Sequence, residues 1–275
     1  MSLAKYLEDF DAVKRLYDIE MADNVIAHDL IYPHVFGFGG YIGQFSDNSA
    51  DELLMMAERM GLEPGSEVLD VGCGRGAVAA FFAERLGWKM TGIDLSHTLI
   101  ADAQRKFKDD LTPSPLHFMH GDIYSLDQTA RFDGVYGTGS FCHFDVERLF
   151  PKLASLLRPG GVMGFMERIR LGEFSEADWS RLTIEWSCPT VYTLADYDSL
   201  ARNAGFVDPA MVDLTPSFMV WQRRSVEARK QLKDNIVNRT SDAYFNLSLT
   251  LACHENEATS RGLLGYALFT AHTSA

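Results

Sequence analysis

The chain has 275 residues, 47% of them hydrophobic and 23% charged, and a formal charge of −13. That length suits one large domain, or one domain with a smaller cap, and the apolar content suffices for a sizeable core. The acidic balance argues against nucleic acid, whose phosphates call for clustered Lys and Arg, and no apolar run reaches the roughly 20 residues that span a bilayer.

The opening "MSLAKYLEDFDAVKRLYDIE" carries acids throughout and lacks the apolar core of a signal peptide, so a cytoplasmic protein is expected. From Leu3 to about Leu30, apolar residues including Leu7, Phe10 and Leu16 recur at helical spacing. "YPHVFGFGGYIGQF" should break that helix with its Pro and Gly, and residues 1–48 are expected to form a helical lid. Residues 49–60 predict a helix ended by Gly61.

Beyond this the pattern alternates. Strands are predicted at 67–71, 89–95, 116–122, 132–139 and 161–169, with helices at 77–87, 97–108 and 145–157 between them. Regular strand–helix succession implies crossover connections and a parallel sheet covered on both faces. Later come a helix near 193–204, a strand near 211–215, a polar helix near 222–238 and a closing alternating run, "LLGYALFTAHT". The expectation is an α/β protein with a seven-stranded sheet whose last strand is the C-terminus. Residues 49–275 would form the main domain, with a cap inserted near 172–260. Cys73, Cys142, Cys188 and Cys253 lie far apart in sequence and predict buried thiols, with no metal site.

The informative stretch is "VLDVGCGRG" at 68–76, a glycine turn between the first strand and the first crossover helix. Such a turn brings a ligand against bare backbone at a helix N-terminus. Gly72, Gly74 and Ala77 also satisfy a dinucleotide pattern, so a nicotinamide-dependent oxidoreductase is a remote alternative. Asp70, two residues ahead of the glycines, would repel a pyrophosphate and suit a cation. Asp94, ending "TGIDLS", can accept both hydroxyls of a ribose, and Asp122 in "HGDI" can accept from an adenine amine. Acids around an adenosyl ligand with a positive end describe S-adenosylmethionine better than NAD.

With "FDGVYGTGSFCHF" and "LLRPGG" added, the motifs over roughly residues 60–170 resemble the class I S-adenosylmethionine-dependent methyltransferases in order and spacing. The resemblance implies a Rossmann-like seven-stranded fold with an antiparallel last strand. It further implies that Asp70, Gly72 and Gly74 border the methionine part of the cofactor and that Asp94 binds the ribose. Leu95 would flank the adenine, Asp122 with Ile123 would hold its amine and face, and Gly137 and Thr138 would line the cofactor near the acceptor. Tyr41 and Gln44, in the glycine-laced stretch, are further cofactor-side candidates.

The acceptor is less legible. The chain has "GTGS" at 137–140 where amino-methylating DNA enzymes of this family carry a proline-containing motif, which leaves small molecules. His143 in "SFCHF" and Glu167 in "GFMERI" are the candidate catalytic residues, as bases or partners for a cationic acceptor. His28, His34 and Glu185 are weaker candidates, and aromatics such as Tyr17, Tyr32, Phe38, Trp186 and Trp221 are expected around the pocket. The basic run "WQRRSVEARKQLK" is either an exposed helix face or a source of Arg223 and Arg224 for an anionic acceptor. The expected reaction is N- or O-methylation of a metabolite, as in sarcosine/dimethylglycine-type enzymes, with C-methylation of a prenyl diphosphate as the alternative. A homo-oligomer is compatible with all of this.

Overall fold

The computed structural model describes residues 21–37, 39–108, 115–184, 188 and 190–275. The expectations for residues before 21, and for Phe38, Glu185 and Trp186, fall outside the described residues. Elements follow in the order α1 (Met21–Phe36), α2 (Ala50–Met60), β1 (Glu67–Val71), α3 (Ala77–Leu86), β2 (Lys89–Asp94), α4 (His97–Lys106) and β3 (Leu116–His120). Then come β4 (Phe132–Thr138), α5 (Val146–Leu156), β5 (Leu157–Arg170), α6 (Glu176–Trp179), α7 (Leu194–Asn203) and β6 (Phe206–Asp213). The chain ends with α8 (Thr215–Gln231), α9 (Lys233–Arg239), α10 (Asp242–Ser260) and β7 (Leu264–Thr273).

The sheet order is β3-β2-β1-β4-β5-β7-β6. The first five strands pair in parallel, and β7 runs antiparallel between β5 and β6, with Phe165 opposite Phe269 and Glu167 opposite Ala267. This is the Rossmann-like architecture expected. Strand residues alternate between two cores, as period-two geometry requires. Val68, Tyr136 and Leu268 face a layer holding Leu53, Met56 and Phe82, while Leu69, Val135 and Phe269 face Leu149, Leu153 and Tyr197. A third cluster (Ala27, Ile31, Tyr32, Val35, Phe36, Ala228, Ile236 and Phe245) packs α1 against the α8–α10 layer.

Three local expectations need correction. Helix α1 continues through Pro33 to Phe36 and stops only at the glycines beyond. Strand β6 starts at Phe206, ahead of the predicted 211, because the register shift between Val207 and Ala210 accommodates Asp208 at positive φ and Pro209. Helix α10 was not predicted at all. Its cavity face carries Tyr244, Ser248 and Glu255, and polar groups on an inward face blur the apolar stripe by which a helix is recognised.

Candidate functional site

A cavity of about 430 Å³ opens beyond the carboxyl ends of β1, β2 and β4. Here the strand order reverses, β2 and β3 lying to one side of β1 and β4 to the other, which is where ligands enter open α/β sheets. Gly72, Gly74, Asp94, Leu95, Ile123, Thr138 and His143 all line this cavity. The sheet therefore gathers seven of the sequence candidates.

The glycine loop is built tightly. Gly72 has φ +74°, and a Cβ there would lie 2.6 Å from the Ser140 Cβ, so the β1 and β4 loops interlock. The amides of Gly72 and Cys73 donate to the Ile93 carbonyl at 2.9 and 3.2 Å, and the Gly74 amide donates to Asp94 Oδ2 at 2.8 Å. Three consecutive donors are thus turned inward, and a pyrophosphate laid on this loop would find none of them. Asp94 also accepts from the Ser96 amide at 2.9 Å through Oδ1. Both of its oxygens are thereby held in place on the cavity wall, a carboxylate orientation suited to a diol.

Six candidates do not line the cavity. Asp70 is buried beneath the loop, where its Oδ2 accepts the Tyr136 hydroxyl at 2.8 Å. Gly137 is closed over by Phe141, whose ring would lie 2.3 Å from an added Cβ. Asp122 caps the short 3₁₀ turn after β3 by accepting from the Tyr124 amide, and it lines an adjoining hollow that shares Ile93 and Gly121 with the main cavity. Gln44 is 2% exposed and braces its own loop, donating to the Gly40 and Asn48 carbonyls and accepting from the Ile42 amide. Tyr41 donates to Asp29, which also pairs with Arg75 of the glycine loop, so this trio ties α1 to the sheet. Glu167 is 1% exposed under the cavity floor, where its oxygens accept from the amides of Cys142 and Arg168, both at 3.0 Å.

Burial sets the protonation of two of these acids. It raises Asp70 to about 7, with the charge of Asp94 adding and the Tyr136 hydroxyl opposing. It raises Glu167 to about 8, opposed by Arg168. Each native pKa lies above its unfolded value, so the folded chain holds more protons between roughly pH 4 and 8. The stability these two acids contribute is fully present below that window and is lost as pH rises through it, partly offset below about pH 6.5 by His28, whose pKa lowered to about 3 acts in the opposite sense. Thermal melts from pH 5 to 8.5 should show a declining midpoint, and Asp70→Asn, which keeps an acceptor for Tyr136, should flatten the fall; a midpoint independent of pH contradicts the assignment.

Arg168, Cys142 and Cys188 line the cavity without having been site candidates in the sequence, whereas His28, one of the weaker candidates, does line it. Arg168 bridges Asp47 (2.6 Å) and Glu255, joining β5, the loop after α1 and α10. His28 stacks on Tyr32 with ring centroids 4.4 Å apart, and burial, aided by Arg229 and Arg75, lowers its pKa to about 3, so it is neutral. Cys142, His143 and Cys188 bring their ligating atoms within 4.8 Å of one another beside the cavity. That meeting crosses all of β5, and sequence distance concealed it. His34 is exposed, as are Arg223 and Arg224, the latter donating to the Val35 carbonyl. The arginine of the basic run that lines the cavity is Arg229, alongside Gln222 and Ser225. Of the aromatics expected at the pocket, Tyr32 lines it, whereas Trp221 packs edge-on against Phe36 in the helical layer.

Comparison with known proteins is consistent with this geometry. Residues 68–161 match a family described as a methyltransferase domain. The chain is 29% identical over 214 residues to phosphoethanolamine N-methyltransferase 1 of Arabidopsis thaliana, covering 76% of this chain and 42% of that protein. It is also 29% identical to an O-methyltransferase of Pyrenophora dematioidea, over 62% of each. The chain thus spans less than two thirds of either relative. In structure it is similar to phosphoethanolamine N-methyltransferase 2 of Haemonchus contortus, solved with phosphomonomethylethanolamine and S-adenosylhomocysteine (TM-score 0.79, 20% identity, 100% of this chain and 61% of that one). Among the described residues no helix is long and apolar enough to cross a membrane.

Proposed function

We propose, for a chain that belongs to the class I S-adenosylmethionine-dependent methyltransferases, that it methylates a nitrogen or oxygen of a small-molecule acceptor. The observation that carries this is the Asp94 carboxylate, held by the Gly74 and Ser96 amides on the wall of the switch-point cavity while the loop's own amides are spent internally. The donor set fits an adenosyl ligand with a cationic end. Asp94 would hold the ribose, Leu95 and Ile123 the adenine, Gly72 and Gly74 the methionine portion, with Thr138 toward the acceptor. Asp122 would reach the adenine amine from the adjoining hollow, and Asp70 and Gly137 support the loops from behind. When bound, S-adenosylmethionine supplies an electrophilic sulfonium methyl, to which the acceptor's lone pair bonds as the sulfur–carbon pair leaves onto sulfur.

Orienting the acceptor in the cavity does most of the work, worth up to about 7–11 kcal/mol of barrier. An N–H or O–H acceptor must also lose a proton, and the His143 imidazole, on the cavity wall, is the group placed to take it. Glu167 acts as a positioning residue, gripping the amide of Cys142 beside His143. Incubation with methyl-labelled S-adenosylmethionine and a small-metabolite extract should transfer label to a nitrogen or oxygen. His143→Ala should lower kcat by about 10²–10⁴-fold with the donor KM unchanged. Label found on an alkene carbon would move the reading to C-methylation, and label that never leaves the donor would overturn it.

A further inference from the structure

On the methyl-transfer reading, we infer that the chamber between α8 and α10 is an anion subsite, in which Arg229 and Gln222 hold a carboxylate or phosphate group of the acceptor. Arg229 is 6% exposed, yet among the described residues no carboxylate pairs with it. Its Nε donates to Ser248 Oγ at 2.9 Å, and its Nη1 donates to the Ser225 carbonyl at 3.2 Å and to the Ser225 hydroxyl. Nη2 makes no hydrogen bond among the described residues, and the side chain lines the cavity. Gln222 is 2% exposed, lines the same cavity, and its amide likewise bonds to no described residue.

The pattern is directional. Gln222, Ser225 and Arg229 share one face of α8, and Tyr244 and Ser248 stand across from them on α10. The other cavity arginine, Arg168, is neutralised by Asp47 and Glu255, so the two cations are treated differently by the same wall. A bridge from α8 to Ser248 could be made by any polar side chain. Glu255 acts on Arg229 only through space and is paired directly with Arg168, so the buried guanidinium has no carboxylate of its own in contact, a cost that an anionic ligand group would offset. In a chain of net charge −13 this is no reflection of general basicity. The planar fork also suits a carboxylate or phosphate better than a single-point anion.

The test is a calorimetric titration of the full chain, saturated with S-adenosylhomocysteine, with inorganic phosphate and separately with acetate, at constant ionic strength in chloride. Saturable binding of one probe is expected, phosphate alone assigning a phosphorylated acceptor and acetate alone a carboxylated one. Arg229→Gln should weaken it at least tenfold while S-adenosylhomocysteine binds as before, and Arg223→Gln, on the exposed face, should change nothing. Should Arg229→Gln not fold, Gln222→Leu leaves the bridge to Ser248 in place and should weaken the same titration severalfold. Absence of saturable binding by either probe, or binding that survives both Arg229→Gln and Gln222→Leu, overturns the subsite. A wild-type chain that fails to bind S-adenosylhomocysteine at all sinks the methyl-transfer reading instead, so the two failures are distinguishable.

Discussion

Asp94→Ala should weaken S-adenosylhomocysteine binding by roughly 100-fold while the fold stays intact. Each hydrogen bond from a ligand hydroxyl to a charged acceptor contributes about 1.5–3 kcal/mol, and two at the low end give about 3 kcal/mol. The Gly74 amide it frees lines a cavity that water can enter, while the amide of the buried Ser96 loses its acceptor, so a modest loss of stability should accompany the change without unfolding the chain. Asp94→Asn is the finer probe. Its single carbonyl oxygen can keep one of the two amides, but its NH₂ must then face the other donor, so an intermediate loss is expected. Calorimetric affinities together with unchanged circular dichroism check both, and an Asp94→Ala variant binding within threefold of wild type would remove this residue from the ligand site.

The second large effect is on the scaffold. Gly72→Ala should destabilise the chain by about 2–5 kcal/mol, combining about 1–2 for a side chain in left-handed backbone with about 1–3 for overpacking. The added methyl would sit 2.6 Å from the Ser140 Cβ, and Ser140 is itself tethered by its hydroxyl to the Val71 carbonyl at 2.6 Å. Relief requires moving the Thr138–Ser140 segment, which lines the cavity, so ligand affinity should fall as well. Gly65→Ala is the control, with φ +89° and nothing within 4 Å of an added Cβ. It should carry only the backbone cost. Denaturant unfolding of the two variants measures the crowding contribution as their difference, and equal destabilisation would show that Gly72 and Ser140 do not interlock.

The parallel half of the sheet is legible because β1, β2 and β4 are short runs rich in apolar residues that end at or beside a glycine or an acid, with helical segments regularly between them. Asp94 could be found for the same reason: it ends a strand where the glycine loop brings it to the cavity wall. What escaped was what depends on contacts between distant segments. Helix α10 turns hydroxyls and Glu255 toward the cavity, so its pattern does not separate an inside from an outside. Arg229 belongs to a run of cations, and the polar spacing of Gln222, Ser225 and Arg229 was the one signal that set it apart from Arg223 and Arg224. Glu167 stands out in sequence as an acid in an apolar strand, but the sequence does not reveal that it lies off the cavity with the backbone amides of Cys142 and Arg168 on its oxygens.

Methyl transfer as proposed requires the switch-point cavity to select a cationic adenosyl ligand over a phosphate-bearing one. Parallel calorimetric titrations of the wild-type chain with S-adenosylhomocysteine and with NAD test this most directly. One equivalent of S-adenosylhomocysteine should bind with micromolar or better affinity and NAD should give no saturable heat. Uptake of NAD with no response to S-adenosylhomocysteine would contradict it.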